Sequence, residues 1–276
     1  MGSALKEVAK RSFPQPLWTM LRLARVWSSV HFYRERKVTH VYGGFLLSIW
    51  LTDPLAQGWY DVDWPELPEI ALLKTGRLKP GARVFDLGAH QCVVAMMLSR
   101  IVGAEGQVVA LEANSHNAEV GERNRALNDI AQLKVVHGAA AKQPGTIEFG
   151  KGLNGAVAVA NRDWGLQRVR AYSVDELAQE LGLPDVLFID VEGFECEVLK
   201  GASETLRERP DVFVEVHSGC GLERLGGSRE EILSMFPGDH YTLFSAAAAG
   251  SPKFLPITDM SMLPAKRFFL VALSRK

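Results

Sequence analysis

The stretch from Arg83 to Glu112 constrains this chain more than any other. Val84-Phe85-Asp86-Leu87-Gly88-Ala89-His90 reads as a short apolar strand that ends in a carboxylate and a glycine turn. Val93 to Val102 has the length and apolar content of a helix, and Val108 to Leu111 is a second apolar run that closes on Glu112. A strand, glycine turn, helix and strand within about thirty residues make a βαβ unit with a nucleotide-sized opening at its strand tips.

The rest of the chain repeats this alternation. A polar helix from His116 to Leu127 precedes the strand Leu133 to His137, and Gly138-Ala139-Ala140 follow, small enough for a planar ring to approach the backbone. Thr146 to Phe149 and Arg168 to Tyr172 read as short extra strands around a glycine- and asparagine-rich loop. Ser173 and Glu176 form a capping box for a helix from Val174 to Leu181. The strand Asp185 to Asp190 again ends on a carboxylate and runs through Val191-Glu192-Gly193 into a helix from Phe194 to about Arg209. Val212 to His217 is a further strand, a helix lies near Ser228 to Met235, and strands near Tyr241 to Ser245 and Arg267 to Leu273 finish the chain. Alternating apolar strands and helices predict a mostly parallel sheet with helices on both faces. Only coil separates the last two strands, so one of them is expected antiparallel.

Length allows one large α/β domain with an extension, or two small domains; the division expected is residues 1–80 as an N-terminal helical and aromatic extension and 81–276 as the main domain. The extension starts basic, with Lys6, Lys10, Arg11, Arg22, Arg25, Arg34, Arg36 and Lys37 against Glu7 and Glu35. A helix from Leu17 to Val30 would carry an apolar face that could lie on an anionic membrane, on the main domain or on a second subunit. Tyr42 to Trp64 is aromatic and reads as irregular, with Trp50, Trp59, Tyr60 and Trp64 forming a lid, a floor or plain core, before a short helix from Glu69 to Leu78. The net charge of −1 offers no global attraction to nucleic acid. Cys92, Cys196 and Cys220 are too scattered for a disulfide framework or a thiolate zinc site, as in a reduced, cytoplasmic protein. No run of 18 apolar residues and no apolar signal core is present, so the expected location is cytoplasmic or peripheral to a membrane.

In a parallel sheet ligands sit outside the carboxyl ends of the strands, where Asp86, Glu112, Asp190 and His217 all fall. Only Gly88 holds a place in the three-glycine dinucleotide fingerprint, and no GxxxxGK[ST] loop exists. A carboxylate at Asp86, two residues before that glycine, repels phosphate and attracts a cation. S-adenosylmethionine has an ammonium, a sulfonium and no phosphate, and Glu112 could accept hydrogen bonds from its ribose hydroxyls. The competing reading for each carboxylate alone is a helix N-cap or a salt bridge.

Phe188-Ile189-Asp190-Val191-Glu192-Gly193-Phe194-Glu195-Cys196-Glu197-Val198-Leu199-Lys200-Gly201-Ala202 resembles the signature of the FkbM family of S-adenosylmethionine-dependent methyltransferases, D-x-E-G-x-E followed by V-L-x-G-A. Val84 to Ala89, Leu111-Glu112-Ala113, Asn124, Asn128 and Val214 to His217 support it, so that the resemblance covers roughly residues 81–217. The chain departs from the family's usual G-A-N turn at Gly88-Ala89-His90-Gln91-Cys92, and from its usual proline at Ala113. The resemblance implies an α/β, Rossmann-like class I methyltransferase fold with a mostly parallel seven-stranded sheet. It also implies a cofactor site drawn from Asp86, Gly88, Ala89, His90, Glu112, Ala139 and Asp190, and O-methylation of a hydroxyl on a sugar, glycolipid or natural product. An alcohol needs a base; Glu192 stands first and His217 second, Glu192 having a helix cap and His217 a structural role as alternatives. No His/Asp cluster demands a metal and none is assigned, although Asp190 and Glu192 could hold Mg²⁺ against a diol. A carboxylate acceptor, or a catalytically silent scaffold acting through residues 1–40, remains as an alternative function.

Overall fold

The computed structural model describes residues 28–150, 152, 165–248, 253–264 and 266–275. Most of the expected basic helix of residues 17–30, and with it the membrane- or subunit-contact reading of residues 1–40, lies outside them.

The stretch expected to be irregular contains a β-hairpin. Strands β1 (Arg36–Tyr42) and β2 (Phe45–Leu51) pair antiparallel, with Tyr42 opposite Phe45 across Gly43 and Gly44. Both glycines have positive φ, 59° and 89°, as a two-residue type I′ turn requires. A Gly-Gly pair between two apolar runs is the sequence signal for such a hairpin, and the aromatic content hid it. Asp53 then caps a helix over Pro54–Tyr60, accepting from the Leu55 and Ala56 amides, with proline in the first turn where no donor is needed. The next helix, Pro68–Leu73, is shorter than expected.

The main sheet is built from β3 (Arg83–Leu87), β4 (Gln107–Glu112) and β5 (Leu133–His137), which pair in parallel. Beyond them β6 (Ala139–Ala140), β7 (Gly145–Gly150) and β8 (Leu166–Tyr172) form a separate three-stranded sheet beside the strand tips, as the short extra strands had suggested. The chain re-enters the main sheet with β9 (Val186–Ile189) and β10 (Asp211–Val216). It closes with β11 (Tyr241–Ala247), β12 (Leu255–Pro256) and β13 (Phe268–Ser274). The order is β12-β11-β13-β10-β9-β3-β4-β5. Strand β13 runs antiparallel to both β10 and β11, the expected reversal. The sheet has eight strands where seven were expected, because the connection back to β13 lays the two-residue β12 against β11 at the edge.

Period-two alternation sends neighbouring residues to opposite faces. Val84, Val108, Ala110, Val186 and Phe213 pack on one side with the hairpin and the helices of residues 54–60, 68–73 and 93–102. Phe85, Val109, Leu187, Val212 and Val214 pack on the other with the helices of residues 174–181, 195–200 and 229–234. The hairpin therefore shares the core of the main sheet. Its β2 edge is finished by side chains: Asn124 accepts from the Trp50 amide at 2.8 Å, and Asn128 accepts from the Ser48 amide at 2.9 Å while donating to its carbonyl at 2.7 Å. These two asparagines cover an otherwise unpaired strand edge.

The helix expected from Phe194 to Arg209 is two helices, Glu195–Lys200 and Ser203–Arg207. The break falls at Gly201, where a Cβ would lie 2.2 Å from the Ala141 carbonyl oxygen, so the backbone of another loop occupies the space a side chain would need.

Candidate active site

In-register pairing of Leu87 with Leu111 and of Leu87 with Ile189 brings the ends of β3, β4 and β9 level. A cleft open to solvent lies over them. Asp86, Gly88, Ala89, His90, Glu112, Ala139, Asp190 and Glu192 all border it. His217 does not: it is 2% exposed and sits behind Asp190 and Glu192, away from the cleft wall.

Gly88 has φ 93°, and a Cβ there would meet the Asp190 carbonyl oxygen at 1.8 Å. Its role is close contact between two strand-end loops, reinforced by the Asp190 amide donating to the Leu87 carbonyl at 2.9 Å. The departures that follow Gly88 have clear partners. The His90 amide donates to Glu112 Oε2 at 2.8 Å, and its Nδ1 meets the Tyr60 hydroxyl at 2.9 Å. Gln91 Nε2 donates to Asp53 at 2.7 Å, and the Gln91 carbonyl accepts from Asn124 at 3.0 Å. His90 and Cys92 both adopt positive φ, 48° and 64°, so non-glycine residues supply the left-handed backbone expected of glycines. Glu192 does the same on the facing loop, at φ 53°. Such strain persists only where surroundings over-determine the chain, and it gathers at functional sites.

The walls differ in character. Part of the lining is apolar, formed by Ala113, Ala139, Ile147 and Phe149, which pack together in one cluster. Trp59, Tyr60 and Trp64 border the cleft from the helix after the hairpin and the turn that follows, and Trp59 and Tyr60 flank the His90 ring with centroids 5.1 and 5.7 Å away.

Four carboxylates border the cleft, and among the described residues no lysine or arginine does. Asp86 is 3% exposed and its Oδ2 has no hydrogen-bond partner among the described residues. Burial first, and then the neighbouring Glu112 charge, push its pKa up to about 7. Burial likewise raises Glu112 to about 7, against hydrogen bonds from the Asn114 and His90 amides. Asp190 is raised well above the ordinary carboxylate range by burial and by Glu215. His217 is opposed by burial, yet the hydrogen bond and charge of Glu195 and the charges of Asp190 and Glu192 raise it to about 9. Sequence reading missed Glu195, assigned there only to a helical turn: it is fully buried, and its Oε1 takes both the Gly193 amide and His217 Nδ1. The D-x-E-G-x-E pattern contained it, but nothing local showed that its partner lay 22 residues away.

Burial pushes the Cys92 thiol well above its usual range and the Cys196 thiol up to about 12, so neither is a nucleophile at neutral pH. No helix among the described residues is long and apolar enough to cross a membrane.

Comparison with known proteins places this arrangement. The family described as the methyltransferase FkbM domain matches residues 86–237. A hexuronic acid methyltransferase, AglP of Haloferax volcanii, is 30% identical over 141 residues, which are 49% of this chain and 54% of that protein. The chain thus spans about half the length of the curated relative it matches. Among solved structures, the FkbM methyltransferase of Methylobacillus flagellatus superposes with a TM-score of 0.45 at 16% identity, covering 69% of this chain and 43% of that one. An S-adenosylmethionine-dependent methyltransferase of Aquifex aeolicus gives 0.44 at 15% identity, covering 80% and 93%.

Proposed function

The chain belongs to the FkbM methyltransferase family, and we propose that it transfers the methyl group of S-adenosylmethionine to an oxygen of a sugar-type acceptor. One observation carries the choice of cofactor. The cleft over the strand tips is bordered by Asp86, Glu112, Asp190 and Glu192, with no lysine or arginine among the described residues. In their ionised forms these side chains would repel a phosphate-bearing nucleotide and attract a cation, and a bound cation would itself favour their ionisation.

The residues fit such a cofactor. Asp86 has an orphaned, buried carboxylate oxygen that an ammonium could satisfy. Glu112 is fixed at both oxygens by the His90 and Asn114 amides, leaving further lone pairs for hydroxyl donors. The apolar wall of Ala113, Ala139, Ile147 and Phe149 would offer a packing surface to a flat heteroaromatic ring. The cofactor would supply a methyl group on a positively charged sulfur, so that the acceptor O–CH₃ bond forms as the S–CH₃ bond breaks and the electron pair stays on sulfur. The protein's part is to hold the acceptor oxygen in line and to exclude water. Trp59 and Trp64, in the cleft lining, would stack against a sugar, and Asp190 and Glu192 would stand at the acceptor end, with Glu192 as the proposed base for a hydroxyl proton. The name of the Haloferax relative makes a hexuronic acid the first acceptor to test.

The test is calorimetry with S-adenosylmethionine beside transfer of labelled methyl to a panel of neutral glycosides and hexuronic acids. Stoichiometric binding with label in a sugar supports the reading. Absence of cofactor binding by folded protein overturns it, in favour of a silent scaffold.

A further inference from the structure

Behind the acceptor end of the cleft, three side chains converge from two elements. Asp190 and Glu192 lie in the loop after β9, and His217 follows β10. His217 Nε2 lies 3.4 Å from Glu192 Oε2 and 3.8 Å from Asp190 Oδ1, and one donor atom from each of the three residues falls within 4.8 Å of the others. These separations are too long for hydrogen bonds. An ion with bonds of about 2.1 Å sets neighbouring donor atoms roughly 3.0–3.4 Å apart, so small side-chain movements would close the trio around one.

Acidic clusters are common without ions, and the histidine distinguishes this one. Its side chain is 2% exposed, its Nε2 points between the two carboxylates, and that nitrogen has no hydrogen-bond partner among the described residues. Its other nitrogen, Nδ1, meets the fully buried Glu195 at 2.7 Å. A carboxylate accepting from Nδ1–H orients the ring, the usual backing of a metal-bound imidazole, and an ion entering between the carboxylates would displace the Nε2 proton and take its lone pair. Glu215 is also 3.8 Å from Nε2, and its own ion pair is with Arg267 at 3.0 Å. Around the imidazole there are thus four carboxylates and one arginine.

We infer that Asp190, Glu192 and His217 form a divalent-cation site, with Glu195 as the positioning residue behind it. Two carboxylates and one imidazole suit Mn²⁺ or Zn²⁺ better than Ca²⁺, which prefers an all-oxygen cage. Since Asp190 and Glu192 border the cleft and His217 does not, the open coordination positions face the acceptor. The use of the ion rests on the function proposed above: it would let an acidic or diol-bearing sugar approach a wall of carboxylates, binding the acceptor oxygens while cancelling the repulsion. Glu192 would then be a ligand in place of the base role given it above: coordination would lower the pKa of a hydroxyl acceptor, and its proton would pass to bulk water.

The test is Mn²⁺ binding to the chelator-stripped full chain, followed by electron paramagnetic resonance, together with calorimetry with MnCl₂ alone and with ZnCl₂ alone. One equivalent is expected. Glu192→Gln and His217→Gln should each weaken it by at least about tenfold, and Glu195→Gln by about 10- to 100-fold, as for other outer-shell partners of metal-bound histidines. Each variant is checked for fold by far-ultraviolet circular dichroism and thermal melting, and one that fails to fold is replaced by Asp190→Asn, checked in the same way. No Mn²⁺ or Zn²⁺ binding by protein that still binds S-adenosylmethionine overturns the cation site and leaves the methyltransferase reading intact. Mn²⁺ bound with unchanged affinity by folded Glu192→Gln and His217→Gln overturns it as well, since the ion must then lie elsewhere.

Discussion

Gln91 Nε2 lies 2.7 Å from Asp53 Oδ2, a buried hydrogen bond that ties the loop after β3 to the start of the helix after the hairpin. The same Asp53 side chain caps that helix through its other oxygen, at 2.9 Å from the Leu55 amide and 2.8 Å from the Ala56 amide. One carboxylate therefore sets both the loop after β3 and the helix that carries Trp59 and Tyr60. Burial raises its pKa, but hydrogen bonds from His116, the Ala56 amide and Gln91 outweigh this and hold it at about 2. Asp53→Ala removes a cap worth about 1 kcal/mol and strands a buried amide at a cost of about 1–3 kcal/mol. Urea denaturation should show a loss of roughly 2–4 kcal/mol. Because the folded pKa lies below the usual 3.8, the wild-type advantage is full above about pH 4 and should fade as the pH falls towards 2.

Gly88→Ala tests the contact between the two strand-end loops. A Cβ there would stand 1.8 Å from the Asp190 carbonyl oxygen, and φ is 93°. Backbone cannot yield as a flexible side chain can, so the loops must part. The melting temperature should fall by several degrees, corresponding to roughly 2 kcal/mol or more for a strained, overpacked position. Affinity for S-adenosylmethionine should fall with it. A variant as stable as the wild type would mean that Gly88 serves the ligand and not the packing.

The sequence announced the sheet because buried parallel strands are continuous apolar runs, and β3, β4 and β9 each carry a carboxylate at or next to their last residue. It announced eight residues that border one cleft for the same reason: strand ends in a parallel sheet must share an edge. Long-range pairings were invisible. Nothing in the order of residues couples Gln91 to Asp53 or Glu195 to His217, since each bond is made by two loops that meet only after the sheet has formed. The β1–β2 hairpin was legible in Gly43-Gly44 but was obscured by the aromatic residues around it. His90 and Cys92 looked like lost glycines; they keep a glycine-like backbone because Tyr60, Glu112 and the tight approach of Cys92 to Gly121 hold it.

Glu69 provides a pH test of stability away from the cleft. It is 6% exposed in the first turn of the Pro68–Leu73 helix, and burial, opposed by its own backbone hydrogen bond and assisted by Glu215, raises its pKa to about 7. The folded state therefore holds the proton more tightly than the unfolded state, whose value is near 4.5. Stability from this group is full below about pH 4.5 and declines as the pH rises to 7, by about 1.4 kcal/mol for each pH unit across which only the folded state keeps the proton. Glu69→Gln should leave the melting temperature at pH 5 nearly unchanged and raise it at pH 8. An equal effect at both values would show that the carboxyl is already neutral, or already paired, throughout the range.

Asp86 offers the corresponding test of binding. Burial, and then Glu112, set its pKa at about 7, and burial sets Glu112 at about 7 as well. A cationic ligand is attracted only once the wall carries charge, so protonation opposes binding and the ligand depresses both values when it arrives. Affinity for S-adenosylmethionine should accordingly be flat above about pH 8 and fall as the pH drops below 7, by about tenfold per pH unit for each group that must release its proton. Asp86→Asn removes one of these protons: its affinity should be lower than wild type at pH 8, and its dependence between pH 6 and 8 should be shallower by about one power of ten per unit. Calorimetry at pH 6, 7 and 8 on both proteins reads this directly. Equal slopes would show that Asp86 is neutral when the ligand binds. The cation would then be held by Glu112 and the Asp190 loop, and the orphaned Oδ2 of Asp86 would be filled by a proton-mediated contact instead of an ammonium.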